Sequence, residues 1–277
     1  MRSEYAWLAP HEGATVTKPN QIGVAFSGHD RLVYDSGSGQ VTGDVQPGST
    51  IVSGEAPITW LRVREPTEAL EIYLDPALLM AAGAAASRPA QFKQVIGERD
   101  AVVLGIGTIL RRAHVCGWDL SDVAASTLAD RLVTHFLARY AGVASVDRSP
   151  RAGRLDHRRF DQVVDLIEAH LGGIITLHDL AAEAGLSPFH FGRVFKESTG
   201  LTPHAFVTAR RMDRARRLLW TSDRPVEDVA RAVGFGNISH FRRVFRRHHG
   251  LVPSDLRKLE PRPLRAGDDS KNGPSAG

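Results

Sequence analysis

The chain has 277 residues, 42% hydrophobic and 24% charged, enough to bury a sizeable core and to form two domains. Its single cysteine, Cys116, excludes an internal disulfide and a cysteine-based metal cluster, and is expected to sit as a small buried apolar group. The net charge of +4 is unevenly divided: residues 1–147 carry 12 Lys/Arg against 16 Asp/Glu, whereas residues 148–265 carry 22 against 13, which points to a polyanion as partner of the second half.

The first ten residues, MRSEYAWLAP, contain no apolar signal core, and the longest near-apolar run, Ala101 to Leu110, is too short to cross a bilayer. A cytoplasmic protein without membrane contact is expected. From Gln21 to Leu74 the runs IGVAF, RLVYD, QVTGDV, STIVS, ITWLRV and ALEIYL alternate with Gly/Pro/Asp turns, among them the hairpin turn SGSG at Ser36–Gly39. That spacing predicts a β-sandwich or small barrel. Helical patterns follow near Pro76–Ala86, Asp100–His114 and Leu120–Tyr140. In the last of these Leu128, Leu132, Val133, Phe136 and Leu137 share one stripe, which either covers the sheet or meets its twin in a second subunit. Ala144 to Leu155 is polar and aperiodic, a linker. The next helix places Phe160, Val163, Val164, Ile167 and Leu171 on one face and stops at Gly172-Gly173.

Two similar stretches come next: LAAEAGLSPFHFGRVFKESTG (Leu180 to Gly200) and VARAVGFGNISHFRRVFRRHHG (Val229 to Gly250). Ala181 and Gly185 match Ala230 and Gly234 at an offset of 49. Phe191, Val194, Phe195, Gly200 and Pro203 match Phe241, Val244, Phe245, Gly250 and Pro253 at 50, so one residue has entered just after the second turn glycine. Each copy reads as helix, tight turn, helix. Thr176 with Asp179 makes a capping-box start, with Leu177, Leu180 and Ala181 facing inward. Ser187-Pro188 and Asn237 cap the second helices. Phe191, Val194 and Phe195, like Phe241, Val244 and Phe245, are expected to be buried. Phe189, His190, Gly192, Arg193 and Lys196 in one copy, and Ser239, His240, Arg242, Arg243, Arg246 and Arg247 in the other, point outward. A short turn before a helix with a basic outer face is the helix-turn-helix geometry for a major groove, where Arg reads guanine bidentately. Thirty of the 35 basic residues are Arg, which suits that chemistry. The tail from Pro261 holds too few apolar residues to fold.

The last hundred residues resemble the DNA-binding domain of the AraC/XylS family of bacterial transcription regulators. The segment DVARAVGFGNISHFRRVFRRHHGLVPSDLRK, Asp228 to Lys258, carries the resemblance: the alanine and Gly-Phe of the turn, the Ser-x-Phe, the Arg-x-Phe and the closing Gly-x-x-Pro. It implies a linker helix over Thr202 to Trp220 that holds two reading heads over successive major-groove segments. It places base contacts at Phe189, Gly192 and Arg193 in the first head and at Ile238, Ser239, Arg242 and Arg243 in the second, with Lys196 and Arg246 beside them. Gly192 departs from the longer polar residue the family pattern carries there and offers no side chain to a base, so the first head positions more than it specifies.

Residues 1–140 resemble the cupin-like effector and dimerisation domains of many family members, by the order of strands, helices and linker. Tyr34, Trp60, Arg62 and Tyr73 are candidates for an effector pocket. Only His11 and His29 precede His114, too few for a metal-binding cupin, so neither a metal nor another cofactor is expected. No Gly-x-Ser-x-Gly elbow, clustered ligand set or phosphate loop supports catalysis, and GIG at Gly105–Gly107 lies in a helical pattern. The expected architecture is therefore α+β and multidomain. A cupin-like β domain with following helices occupies residues 1–143, a linker 144–155, an all-α double helix-turn-helix domain 156–260 (units at 176–198 and 225–248) and a tail 261–277. The expected partners are double-stranded DNA, a small-molecule effector, a second copy of the chain and, for an activator, RNA polymerase. A cupin-type enzyme tethered to DNA and a nonspecific nucleoid-associated protein are the competing readings.

Overall fold

The computed structural model describes residues 1–8, 10–64, 67–75, 77, 79, 92–117, 119–140 and 155–259. The expected helix near Pro76–Ala86, most of the linker and the tail lie outside the described residues.

Among the described residues nine strands form two antiparallel sheets. They are β1 (Arg2–Leu8), β2 (His11–Val16), β3 (Gln21–Ala25), β4 (His29–Asp35), β5 (Gln40–Val45), β6 (Ser49–Val52), β7 (Thr59–Val63), β8 (Thr67–Tyr73) and β9 (Val95–Arg99). The five-stranded sheet runs β1-β8-β3-β6-β9 and the four-stranded sheet β2-β7-β4-β5. The six expected strands are present. The three that the sequence reading did not include, β1, β2 and β9, are all edge strands, where charge and exposure replace the apolar run that marks a central strand. The five-stranded sheet is apolar on both faces. Ile22 and Val24 of β3 face the helices, while Gly23 and Ala25 face the second sheet, as the two-residue period requires.

Helix α1 (Ala101–Cys116) lies on the first of these faces through Val102, Val103, Leu104, Ile106 and Leu110. Its N-cap, Asp100, accepts from the amides of Val102 (2.9 Å) and Val103 (3.1 Å), and also binds His135 (2.7 Å) and the Tyr140 hydroxyl (2.8 Å) of helix α2 (Asp122–Tyr140). Burial works against the Asp100 carboxylate, but these hydrogen bonds outweigh it and hold the group well below the usual carboxylate range. The stripe on α2 is spent inside the chain: Leu132, Val133 and Phe136 are buried in the main core, with Phe92 stacked 4.6 Å from Phe136. Leu132, Val133 and Phe136 thus serve as core, while Leu128 and Leu137 of the same stripe are half-buried. Cys116 is exposed at the last turn of α1, not buried as expected.

The C-terminal helices are α3 (His157–Ala169), α4 (Leu177–Glu183), α5 (Pro188–Thr199), α6 (Pro203–Thr221), α7 (Val226–Ala232), α8 (Ile238–His249) and α9 (Pro253–Leu259). One continuous core joins the five-stranded sheet to α1, α2, α3, α4, α5 and the start of α6, as far as Val207. A separate core begins at Met212 on α6 and takes in Phe235, Phe241, Phe245 and Leu256. Leu177, expected to face inward, is 44% exposed at the first turn of α4, and Val244 is only half-buried.

Candidate nucleic-acid interface

The two helix pairs are built alike. In the first, Gly185 takes φ +63° and the Leu186 amide donates to the Ala181 carbonyl at 2.9 Å. In the second, Gly234 takes φ +80° and the Phe235 amide donates to the Ala230 carbonyl, also at 2.9 Å. A left-handed φ at the sharpest point is what selects glycine in both copies. Gly236 is the extra residue, and the loop before α8 absorbs it. Asn237 then accepts from the His240 amide at 2.9 Å, as Ser187 accepts from the His190 amide in the other copy. The capping box of α4 is complete: Thr176 and Asp179 each bind the other's backbone amide.

The second helix of each pair buries its aromatic face and exposes the other. Phe191, Val194 and Phe195 of α5 are buried, as are Phe241 and Phe245 of α8. On the outer side of α5, Phe189 is 86% exposed beside Arg193 and Lys196. Gly192 faces open space, so no packing demands a glycine there. On α8, Ser239, Arg242, Arg243 and Arg246 are exposed, whereas Ile238 is half-buried against the second core. Arg193 pairs with Glu197 (3.6 Å) and Arg242 with Glu227 (3.1 Å); among the described residues Arg243 and Arg246 make no ion pair. Duplicated turns, each aiming a cationic helix face outward, are suited to phosphate and base edges.

The family model described as a helix-turn-helix domain matches residues 180–259. The C-terminal region is an AraC/XylS-type helix-turn-helix domain. Over 92 residues the chain is 38% identical to the regulatory protein PocR of Salmonella typhimurium, covering 33% of this chain and 30% of that one. Over 100 residues it is 37% identical to the HTH-type transcriptional activator RhaS of Klebsiella pneumoniae, covering 36% of each. The match thus spans about a third of these relatives' length. Among solved structures, a transcriptional regulator with an AraC-type DNA-binding domain from Chromobacterium violaceum is 26% identical, covering 40% of this chain and 96% of that one, with a TM-score of 0.36.

Part of the positive charge of the AraC/XylS-type domain is not at its surface. Arg111 of α1 donates to Glu68 of β8 at 2.6 Å and to Asp213 of α6. Asp213 also accepts from Arg210 (3.0 Å), which donates to Glu168 of α3 at 2.6 Å. Arg216 donates to the Tyr5 hydroxyl at 2.7 Å and approaches Glu68 at 3.4 Å, and Tyr5 itself donates to Glu68 at 2.8 Å. Three guanidiniums are thereby matched with three carboxylates. Burial would lower Arg111 and Arg210, but their carboxylate partners outweigh it and hold both charged. Within residues 148–265 the buried Arg210 and Arg216 are offset by Asp213 and Glu168, so that segment's surplus of positive charge is left for its surface. The signal in the sequence was there: Arg210, Asp213 and Arg216 recur every three residues next to the apolar Met212, Ala215 and Leu219.

Between the two sheets lies a cavity of about 100 Å³. It exists because the inward positions of β3 and β8 hold the small residues Gly23, Ala25 and Ala69, and Gln21, His29, Ser53 and Thr67 give it a few polar points. Of the four residues expected at an effector pocket only Trp60 lines it. Tyr34 stacks on Trp60 at 5.6 Å, Arg62 pairs with Glu12 at 3.0 Å, and Tyr73 lies under the Lys18 ammonium at 4.5 Å. The structure does not bring these four together, because Arg62 and Tyr73 sit on different sheets. Apart from Trp60 the lining is aliphatic, small or polar, and carried no signal that set it apart from ordinary strand positions. No group of three His, Cys, Asp or Glu side chains among the described residues is placed to hold a metal ion, and no described helix is long and apolar enough to cross a membrane.

His29, buried beside Ser27 at 3.4 Å with Nδ1 unpartnered, is pushed down to about 4 by burial and then by the charge of Arg217. His248 is likewise pushed down to about 4, chiefly by burial, and His249 falls well below the ordinary value. The unfolded chain then binds protons that the folded chain refuses. Stability is therefore complete above pH 6.5 and is expected to fall as pH drops from 6.5 toward 4, with His29 alone contributing about 3 kcal/mol. Urea midpoints measured across that window check this, and His29→Gln should flatten the slope.

Proposed function

We propose that the whole chain is a transcription regulator that reads successive major-groove segments with α5 and α8, under control of a small effector held between the sheets. The repetition of one turn geometry, each copy with its outward cationic helix, carries the reading. Phe189, Arg193 and Lys196 on α5, and Ser239, Arg242, Arg243 and Arg246 on α8, are the side chains that meet DNA. Gly192 contributes close approach only, and Ile238 acts through its exposed edge. The half formed by residues 1–143 takes the role of a cupin-like sensor. Its cavity, lined mostly by carbon with Gln21, His29, Ser53, Thr67 and Glu71 at intervals, suits a small, mostly apolar ligand with one or two hydrogen-bonding groups.

The test uses a duplex selected from random sequence. Arg243→Ala, and separately Arg193→Ala, should weaken that site by about 1–3 kcal/mol with little change on unrelated DNA. Equal losses on both duplexes would reassign these residues to phosphate. Failure to enrich any sequence would favour nonspecific binding. Affinity should also fall steeply with salt, by about 0.9 in log K per log unit for each phosphate neutralised.

A further inference from the structure

Helix α1 touches the C-terminal end of both reading helices. Near its start, Gly105 lies so close to the end of α5 that a Cβ there would fall inside the carbonyl oxygen of Thr199. Near its end, Val115 approaches the C-cap of α8, where a Cβ on Gly250 would lie 2.7 Å from the Val115 carbonyl oxygen. The Cys116 thiol adds a contact to the Arg247 carbonyl at 3.4 Å. Ten residues of α1 separate the two points, about 15 Å of helix. Between them Arg111 enters the buried charge network through Asp213 of α6. From α2, Arg131 donates to the carbonyls of Glu197 and Ser198, both at 2.7 Å, and so completes the last turn of α5.

These contacts are backbone against backbone at both ends, with ion pairs in the middle. Close-packed interfaces of this kind hold discrete positions and do not slide. None of them covers the outward faces, since Phe189, Arg243 and Arg246 stay exposed with α1 in place. The two heads have separate cores, joined through α6. We infer that α1 is a gauge: it sets the separation and relative rotation of α5 and α8, and the amino-terminal half thereby determines how many base pairs the protein accepts between its two subsites. This rests on the DNA-reading role proposed above.

The experiment uses the full chain and its selected duplex, with one or two base pairs inserted or removed between the subsites. Wild type should lose at least tenfold in affinity for a single insertion. Gly105→Ala, which forces α1 off the end of α5, and Arg131→Met, which removes two hydrogen bonds from a half-buried side chain, should each compress that penalty to threefold or less. If Gly105→Ala does not fold by circular dichroism, Arg131→Met decides. Variants that are folded and repeat the wild-type spacing profile overturn the gauge, as does a wild type indifferent to insertion. A wild type that binds no selected duplex overturns the DNA-reading proposal itself, and a spacing-tolerant variant that still binds the parent site supports both.

Discussion

Arg111→Met should destabilise the protein by about 3–5 kcal/mol, measured by urea unfolding at neutral pH. The guanidinium is buried and donates to Glu68 and Asp213, which are buried as well. Removing it leaves three carboxylates, Glu68, Asp213 and Glu168, sharing the two guanidiniums of Arg210 and Arg216, and the penalty of the buried negative charge in excess exceeds the worth of the ion pairs themselves. A double variant that adds Asp213→Asn should recover much of the loss, because it leaves two guanidiniums, Arg210 and Arg216, against two carboxylates, Glu168 and Glu68. A single-variant loss below about 1 kcal/mol would mean that water reaches the network in solution.

Phe195→Ala and Phe245→Ala should each cost about 3–5 kcal/mol, since each empties a fully buried aromatic site. Their reach should differ. Phe195 stacks on Phe191 and Phe206 (both 5.3 Å) and belongs to the core that continues into the five-stranded sheet. Its loss should raise amide exchange in β3 and β8 as well as in the first head. Phe245, stacked on Phe241 at 5.6 Å in the separate core, should loosen α7, α8 and α9 and leave the sheet protected. Peptide-resolved hydrogen exchange distinguishes the two, and equal effects on the sheet would show that the cores unfold as one.

The two helix-turn-helix units were legible because local rules made them. A glycine at the turn, a capping Ser or Asn and aromatic residues three and four apart are short-range signals, and two copies supplied the register. The five inner strands and the edge strand β5 were legible for the same reason. What was not legible depends on distant partners. The three-residue spacing of Arg210, Asp213 and Arg216 beside apolar positions hints at burial, but only the arrival of Glu168, Tyr5 and Glu68 makes the two arginines interior. The stripe with Leu132 and Phe136 reads equally well as core or as an interface, and packing against Phe92 places Phe136 in the core. Gly105 looked like an idle helix glycine until the end of α5 was seen against it. The cavity escaped notice because it is made by what Gly23, Ala25 and Ala69 leave unfilled.

The handover of α6 from one core to the other bears on how such a chain can be remade. Up to Val207 the helix belongs to the first head, and from Met212 onward to the second. A crossover between two related genes near Thr208 would transfer a whole hydrophobic interior in each fragment, with the Arg210–Asp213 pair intact on the downstream side. Two demands would remain: upstream of the crossover, the Tyr5, Glu68, Arg111 and Glu168 that Arg210, Asp213 and Arg216 meet, and downstream of it a glycine at 250 to admit Val115. Chimeras that meet both should exchange one half of the recognition sequence while inheriting the other unchanged.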